Sequence, residues 1–137
     1  MIVGLGMDVI EIGRMEEALG RHGDRFLEHV FTEEETAQAP AGGGRTAYFA
    51  GRWAAKEAVA KALGTGIGEG CGWRDVLVRR ATAGRPVVHL RGNARRTAAE
   101  LGVGTMHLTI SHSRGLACAC AVAERESSAT DTGERAP

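Results

Sequence analysis

The 137-residue chain carries 17 Lys+Arg against 17 Asp+Glu, a formal net charge of zero. At this length one domain with its own core is expected. Balanced charge, with no basic stripe interleaved with aromatics, argues against nucleic-acid binding. Three Phe, two Trp and one Tyr are all the aromatics present, so the core must come from Ala, Val, Leu and Ile. Alanine fills little volume, which suggests a core completed at a subunit interface. Cys71, Cys118 and Cys120 lack C-x-x-C spacing, so neither a zinc site nor a disulfide framework is expected. Cys118 and Cys120 would share one strand face and are read as small core residues. Asp8 and Glu11 interrupt the apolar start and no basic segment precedes it, unlike a signal peptide. No window approaches a membrane span, and a soluble cytoplasmic protein with reduced thiols is expected.

Residues 1–11 alternate as a strand, with Val3, Leu5, Met7 and Val9 on one face and Asp8 on the other. The period turns helical over residues 12–19 and is punctuated by Gly20 and Gly23, with a short helical piece over 25–29. Thr32-Glu-Glu-Glu35 has the capping-box form and opens a helix that Pro40 closes. Residues 41–45 read as a flexible glycine loop, and a long helix covers 46–63, ended by Gly64, Gly66 and Gly68. Residues 73–80 and 86–90 alternate like the two strands of a hairpin. A short helix over 93–101 and a final hairpin, 106–111 with 116–122, complete the domain. The class is α+β, a single compact domain over residues 1–124 with mostly antiparallel sheet and one long helix packed on it. Residues 125–137 have no apolar period and are expected to form a disordered tail.

The only two lysines, Lys56 and Lys61, bracket Glu57 on the long helix, in a chain whose other cations are arginines. A compact point charge suits a phosphate; the bland alternative is a solvated face with a Glu57–Lys61 pair. Asp8, an acid on the inward side of a strand, must be paired, capped or metal-bound. With Glu57 it would suit a hard divalent ion such as Mg²⁺, which needs only one or two carboxylates. Gly64 and Gly66 would let backbone approach a phosphate, or simply cap the helix. His107 and Ser111 share a strand face and His112 starts the turn; a Ser-His-Asp hydrolase lacks its G-x-S-x-G elbow. Arg14, Arg21 and Arg25 form either a solvated face or a dock for an acidic protein.

The order Gly6-Met-Asp8, Glu11, Arg14, then Phe31-Thr-Glu-Glu-Glu35, then Gly51-Arg-Trp-Ala-Ala-Lys-Glu-Ala-Val-Ala-Lys61 with Gly64-Thr-Gly66, then His107-Leu-Thr-Ile-Ser-His112 resembles the holo-(acyl carrier protein) synthases. These are the short, trimeric class of 4′-phosphopantetheinyl transferases. The resemblance implies their fold and an enzyme that moves the phosphopantetheine arm of coenzyme A onto a serine of an apo acyl carrier protein. It implies Mg²⁺ on Asp8 and Glu57, with Lys61 on the phosphate or the leaving group. Glu57 becomes the candidate base, directly or through a water, with His112 as runner-up for that role or for a phosphate contact. Arg52, Pro86 and His107 would meet the adenine and 3′-phosphate, Gly64, Gly66 and Ser111 would complete the coenzyme A contacts, and Arg14, Arg21 and Arg25 would face the carrier protein. A homotrimer with active sites at subunit interfaces is implied as well. The rival readings are a coenzyme A-binding scaffold, a Mg²⁺-dependent hydrolase that needs no carrier, and an interaction domain built on the arginine face.

Overall fold

The computed structural model describes residues 1–127. The chain runs β1 (Ile2–Glu11), α1 (Ile12–Val30), α2 (Glu33–Ala37), α3 (Arg45–Ala62), β2 (Val76–Arg80), β3 (Pro86–Leu90), α4 (Gly92–Leu101), β4 (Val103–Ser113) and β5 (Leu116–Arg125). β5 lies between β1 and β4 in an antiparallel sheet, and β2 and β3 form a separate hairpin. The α+β class with antiparallel sheets and helices is thus present, but there are two long helices: α1 has 19 residues and α3 has 18.

Helix α3 is central and buried on most sides, with seven alanines among its 18 residues. The sheet presents its small residues to it: Ala117, Ala119, Ala121 and Ala123 of β5 are all buried. On β1, a Cβ at Gly4 would stand 1.8 Å from the Ala62 carbonyl oxygen, and one at Gly6 1.8 Å from that of Ala58. Only glycine lets the strand backbone lie directly on the helix. Along β5 and the middle of β1 this closeness leaves room only for small residues on the inner face, so the larger ones turn outward, while β4 turns Met106, Leu108 and Ile110 inward. Leu5, Met7 and Val9 are 66%, 64% and 51% exposed, and register pairs them with Val122, Cys120 and Cys118.

The cysteine expectation is therefore corrected. Cys118 and Cys120 are half-buried on the outer sheet face; the alanines between them take the core. Cys71 is fully buried, and burial pushes its thiol up to about 11. Helix α1 does not stop at Gly20: it continues to Val30 through a kink at Gly23, whose φ of 50° only glycine adopts freely. Burial of Leu27 and Val30 outweighs the local break. The Thr32–Glu35 capping box forms as the spacing predicts, while the Gly42–Gly44 segment is a 3-10 turn. The last two strands are longer than expected: β4 covers Val103–Ser113, and β5 reaches Arg125, whose amide donates to the Met1 carbonyl at 2.8 Å. The remainder of the expected tail, 128–137, lies outside the described residues. Among the described residues no helix is long and apolar enough to cross a membrane.

Candidate active site

Asp8 follows Gly4 and Gly6 at a period of two, so it points to the same helix-facing side of β1. There it meets α3. Lys61 donates to Asp8 Oδ1 at 3.2 Å and to the Met7 carbonyl at 2.9 Å. The Lys61 side chain is 48% exposed and that of Asp8 18%, so the pair adds at most ~1 kcal/mol to stability. Glu57, one turn before Lys61, borders with Asp8 a cavity of about 360 Å³ closed by Arg14, Phe26 and Trp53. Burial raises the Glu57 carboxyl above the ordinary glutamate range, and negative Asp8 raises it further; Lys61 opposes both. Two carboxylates that press on each other suit a shared divalent cation. Among the described residues no group of three or more His, Cys, Asp and Glu forms a metal cage. The pair alone matches the one or two carboxylates that Mg²⁺ takes from a protein.

A second cavity, about 530 Å³, opens beside Arg52, which lies roughly 140° around the helix from Glu57. Tyr48, Arg80 and His112 line it too, and a smaller space of about 190 Å³ links Arg52, Arg80 and His112 to Pro86. The Arg52 guanidinium lies over the Tyr48 ring at 4.2 Å, and its Nε is buried with no hydrogen-bond partner among the described residues. Burial holds the proton affinity of Arg52 below the ordinary arginine value. Among the described residues no acidic side chain lines either space. Two arginines without a carboxylate call for an anion, and a planar guanidinium grips a phosphate bidentately. His112 Nε2 is 3.0 Å from the Ala47 carbonyl, so that nitrogen carries the hydrogen. Its ring sits against Gly51, where a Cβ would come within 2.8 Å of Nε2.

Asp8, Glu57, Lys61 and Arg14 are thus brought together, and so are Arg52, Pro86 and His112. His107 joins neither group: it faces out from the sheet and lies 3.2 Å from Glu124. Ser111 is exposed on that same face, opposite Cys118. The amides of Gly64 and Gly66 donate to the Lys61 and Ala60 carbonyls and close the end of α3. Both glycines have positive φ and open space around them. Arg21 and Arg25 are exposed on α1.

Lys56 departs most from expectation. It is fully buried, bonded to Glu35 at 2.8 Å, and has no access to a phosphate. Arg80 and Tyr48 went unnoticed in the sequence. Alternation from the buried Val78 was the available signal for Arg80, since it places Arg80 on the same side of β2.

The chain matches the family model of the 4′-phosphopantetheinyl transferase superfamily over residues 4–121, and it belongs to that family. Its similarity within the family points one way. A holo-[acyl-carrier-protein] synthase of Alkalilimnicola ehrlichii is 49% identical over 125 residues, covering 90% of this chain and 98% of the relative. One from Brucella ovis is 48% identical over 128 residues, covering 90% and 96%. Among solved structures, holo-[acyl-carrier-protein] synthase from Neisseria meningitidis superposes with a TM-score of 0.84 at 31% identity, covering 91% of this chain and all of that one. The Bacillus anthracis synthase in complex with coenzyme A (3′,5′-ADP) gives 0.78 at 39% identity, covering 92% and 99%. The chain is accordingly an enzyme, a phosphopantetheinyl transferase of the kind that acts on acyl carrier proteins.

Proposed function

We propose that the chain moves the 4′-phosphopantetheine group of coenzyme A to a serine of an apo acyl carrier protein of fatty-acid or polyketide synthesis. Adenosine 3′,5′-bisphosphate leaves, and the reaction runs in the cytoplasm with Mg²⁺. The observation that carries this reading is the meeting of Asp8, Glu57 and Lys61 where β1 crosses α3. Asp8 and Glu57 would hold the ion, which when bound would neutralise charge on the diphosphate. Lys61, still half exposed, turns from Asp8 to the phosphate being attacked or the oxygen that leaves it. In such a transfer the protein contributes mainly positioning and charge neutralisation.

Glu57 is the base for the serine proton. Its carboxyl borders the cavity beside Asp8 where the transfer takes place. His112, the other candidate, is held by the Ala47 carbonyl in the cavity with Arg52, which suits a phosphate contact better. Arg52, Arg80, Pro86 and His112 take the 3′-phosphate and adenine end. Gly64 and Gly66 present bare backbone beside the diphosphate.

The acidic cavity and the arginine cavity lie on different sides of α3, so one coenzyme A spans the acidic half of one chain and the arginine half of a neighbour. The outer sheet face with Leu5, Met7 and Val9 is the surface on which three copies pack. On it His107 and Ser111 reach coenzyme A bound to the adjacent copy. Arg14 stands at the mouth of the acidic cavity, and with Arg21 and Arg25 receives an acidic helix of the carrier, an attraction that salt screens.

The test is to incubate the purified chain with coenzyme A, Mg²⁺ and apo acyl carrier protein, then weigh the carrier by intact mass spectrometry. Gain of one phosphopantetheine unit, lost with EDTA, is expected. Consumption of coenzyme A without that gain would point to hydrolysis instead.

A further inference from the structure

The buried Glu35–Lys56 pair touches neither cavity, yet it is tied to a wall of each. Lys56 spends all three ammonium hydrogens inside the protein, on Glu35 Oε1 and on the carbonyls of Trp73 and Val76. Glu35 accepts from the Thr32 amide with Oε1 and from the Val78 amide with Oε2. Val76 and Val78 lie on the edge of β2 that faces away from β3, so these two side chains take the place of the next strand. An apolar pair of similar volume would often be as stable as a buried ion pair, but it could not satisfy those backbone groups.

The aromatics are arranged around the pair. Trp73, held at its carbonyl by Lys56, packs on Trp53 with ring centres 4.1 Å apart. Trp53 and Phe26, stacked at 5.8 Å, form the wall of the Asp8–Glu57 cavity. On the other side the Tyr48 hydroxyl donates to the Glu35 carbonyl at 2.6 Å, and Arg52 rests on the Tyr48 ring. The β2 strand fixed by Val76 and Val78 carries Arg80 into the second cavity.

We propose that Glu35 and Lys56 are positioning residues that set both halves of the transfer site, through Trp73 and Trp53 on the metal side and through Tyr48 and β2 on the arginine side. This rests on the functional reading above. It predicts opposite kinetic effects at the two ends. Trp73→Leu, which leaves the ion pair intact, lowers kcat about tenfold with little change in KM for coenzyme A, a fraction of what a 1 Å misplacement can cost. Tyr48→Phe, which loses only the hydroxyl, raises KM for coenzyme A several-fold with a smaller effect on kcat. The paired substitution Glu35→Gln with Lys56→Met removes both charges, moves both constants and weakens the near-UV circular dichroism of the stacked tryptophans.

The assay is transfer to apo acyl carrier protein with Mg²⁺, alongside far-UV spectra to establish folding. Wild-type-like constants in folded Trp73→Leu and Tyr48→Phe would overturn the proposal whether or not the double variant folds. Equal losses in both constants for both single variants would also overturn it, since simple destabilisation does that. A wild-type chain without transfer would bring down the functional reading, and this inference with it; active wild type beside unaffected variants would sink this inference alone.

Discussion

A methyl group on Gly6 would stand 1.8 Å from the carbonyl oxygen of Ala58. The missing side chain is what lets β1 carry Asp8 up to Glu57 and Lys61. Gly6→Ala must push the strand off the helix. Overpacking of this kind costs roughly 1–3 kcal/mol, to be read as a lower urea midpoint. Transfer should fall more steeply than stability, because Asp8 retreats along with the strand. Unchanged kcat in a destabilised variant would show that Asp8 does not depend on this approach.

Removing the charge at Asp8 tests the metal side directly. Asp8→Asn keeps the size of the side chain and should lower kcat by about 10²–10³, the scale of a lost preorganised charge. The Mg²⁺ concentration for half-maximal rate should rise at the same time. A rate within a factor of two of wild type at ordinary Mg²⁺ would remove Asp8 from the site.

Glu57 has a carboxyl raised by burial and by Asp8, and the sign of its pH effect follows. A glutamate that binds its proton more tightly folded than unfolded stabilises the fold at low pH. That contribution is present below the unfolded value and is lost as pH rises through the folded one. At neutral pH in EDTA, Glu57→Gln should therefore melt higher than wild type. Below the ordinary value of ~4.3 the two melting curves should converge. A variant that melts lower at neutral pH would contradict the crowding of these acids.

The cysteines test the proposed assembly. With its thiol pushed to about 11 and fully buried, Cys71 is only ~0.1% thiolate at pH 8 and should resist alkylation. Cys118 and Cys120 lie among exposed apolar residues on the outer sheet face. In the assembled protein they should be protected; at dilutions where it dissociates, exactly those two positions should gain label, as peptide mass spectrometry would show. Rapid labelling in the intact oligomer would move the interface elsewhere.

The periodicities of β1, α3 and the two hairpins were legible because each is a local pattern set by the side of the element that is buried. Asp8 and Glu57 were legible as acids in apolar surroundings. Lys56 was not, since its neighbours in sequence look like those of Lys61. The two lysines are five residues apart and so on different sides of the helix, and Glu35, the partner of Lys56, lies 21 residues away. The faces of β5 were misjudged because hydropathy favours Cys and Val over Ala for a core. The glycines of β1 had already fixed a spacing between sheet and helix that only alanine fits. His107 was grouped with Arg52 by family pattern alone, and within one chain the pleat of β4 turns it to the opposite side of the sheet from His112.

With the two cavities on different sides of α3 and each site shared between copies, as proposed, a genetic consequence follows. A chain with Asp8→Asn keeps its arginine cavity, and a chain with Arg52→Ala keeps its acidic one. Unfolded together and refolded, or co-expressed, the two inactive proteins should complement each other: wherever an intact half of one adjoins an intact half of the other, a working site is restored, although neither polypeptide could build one with its own kind.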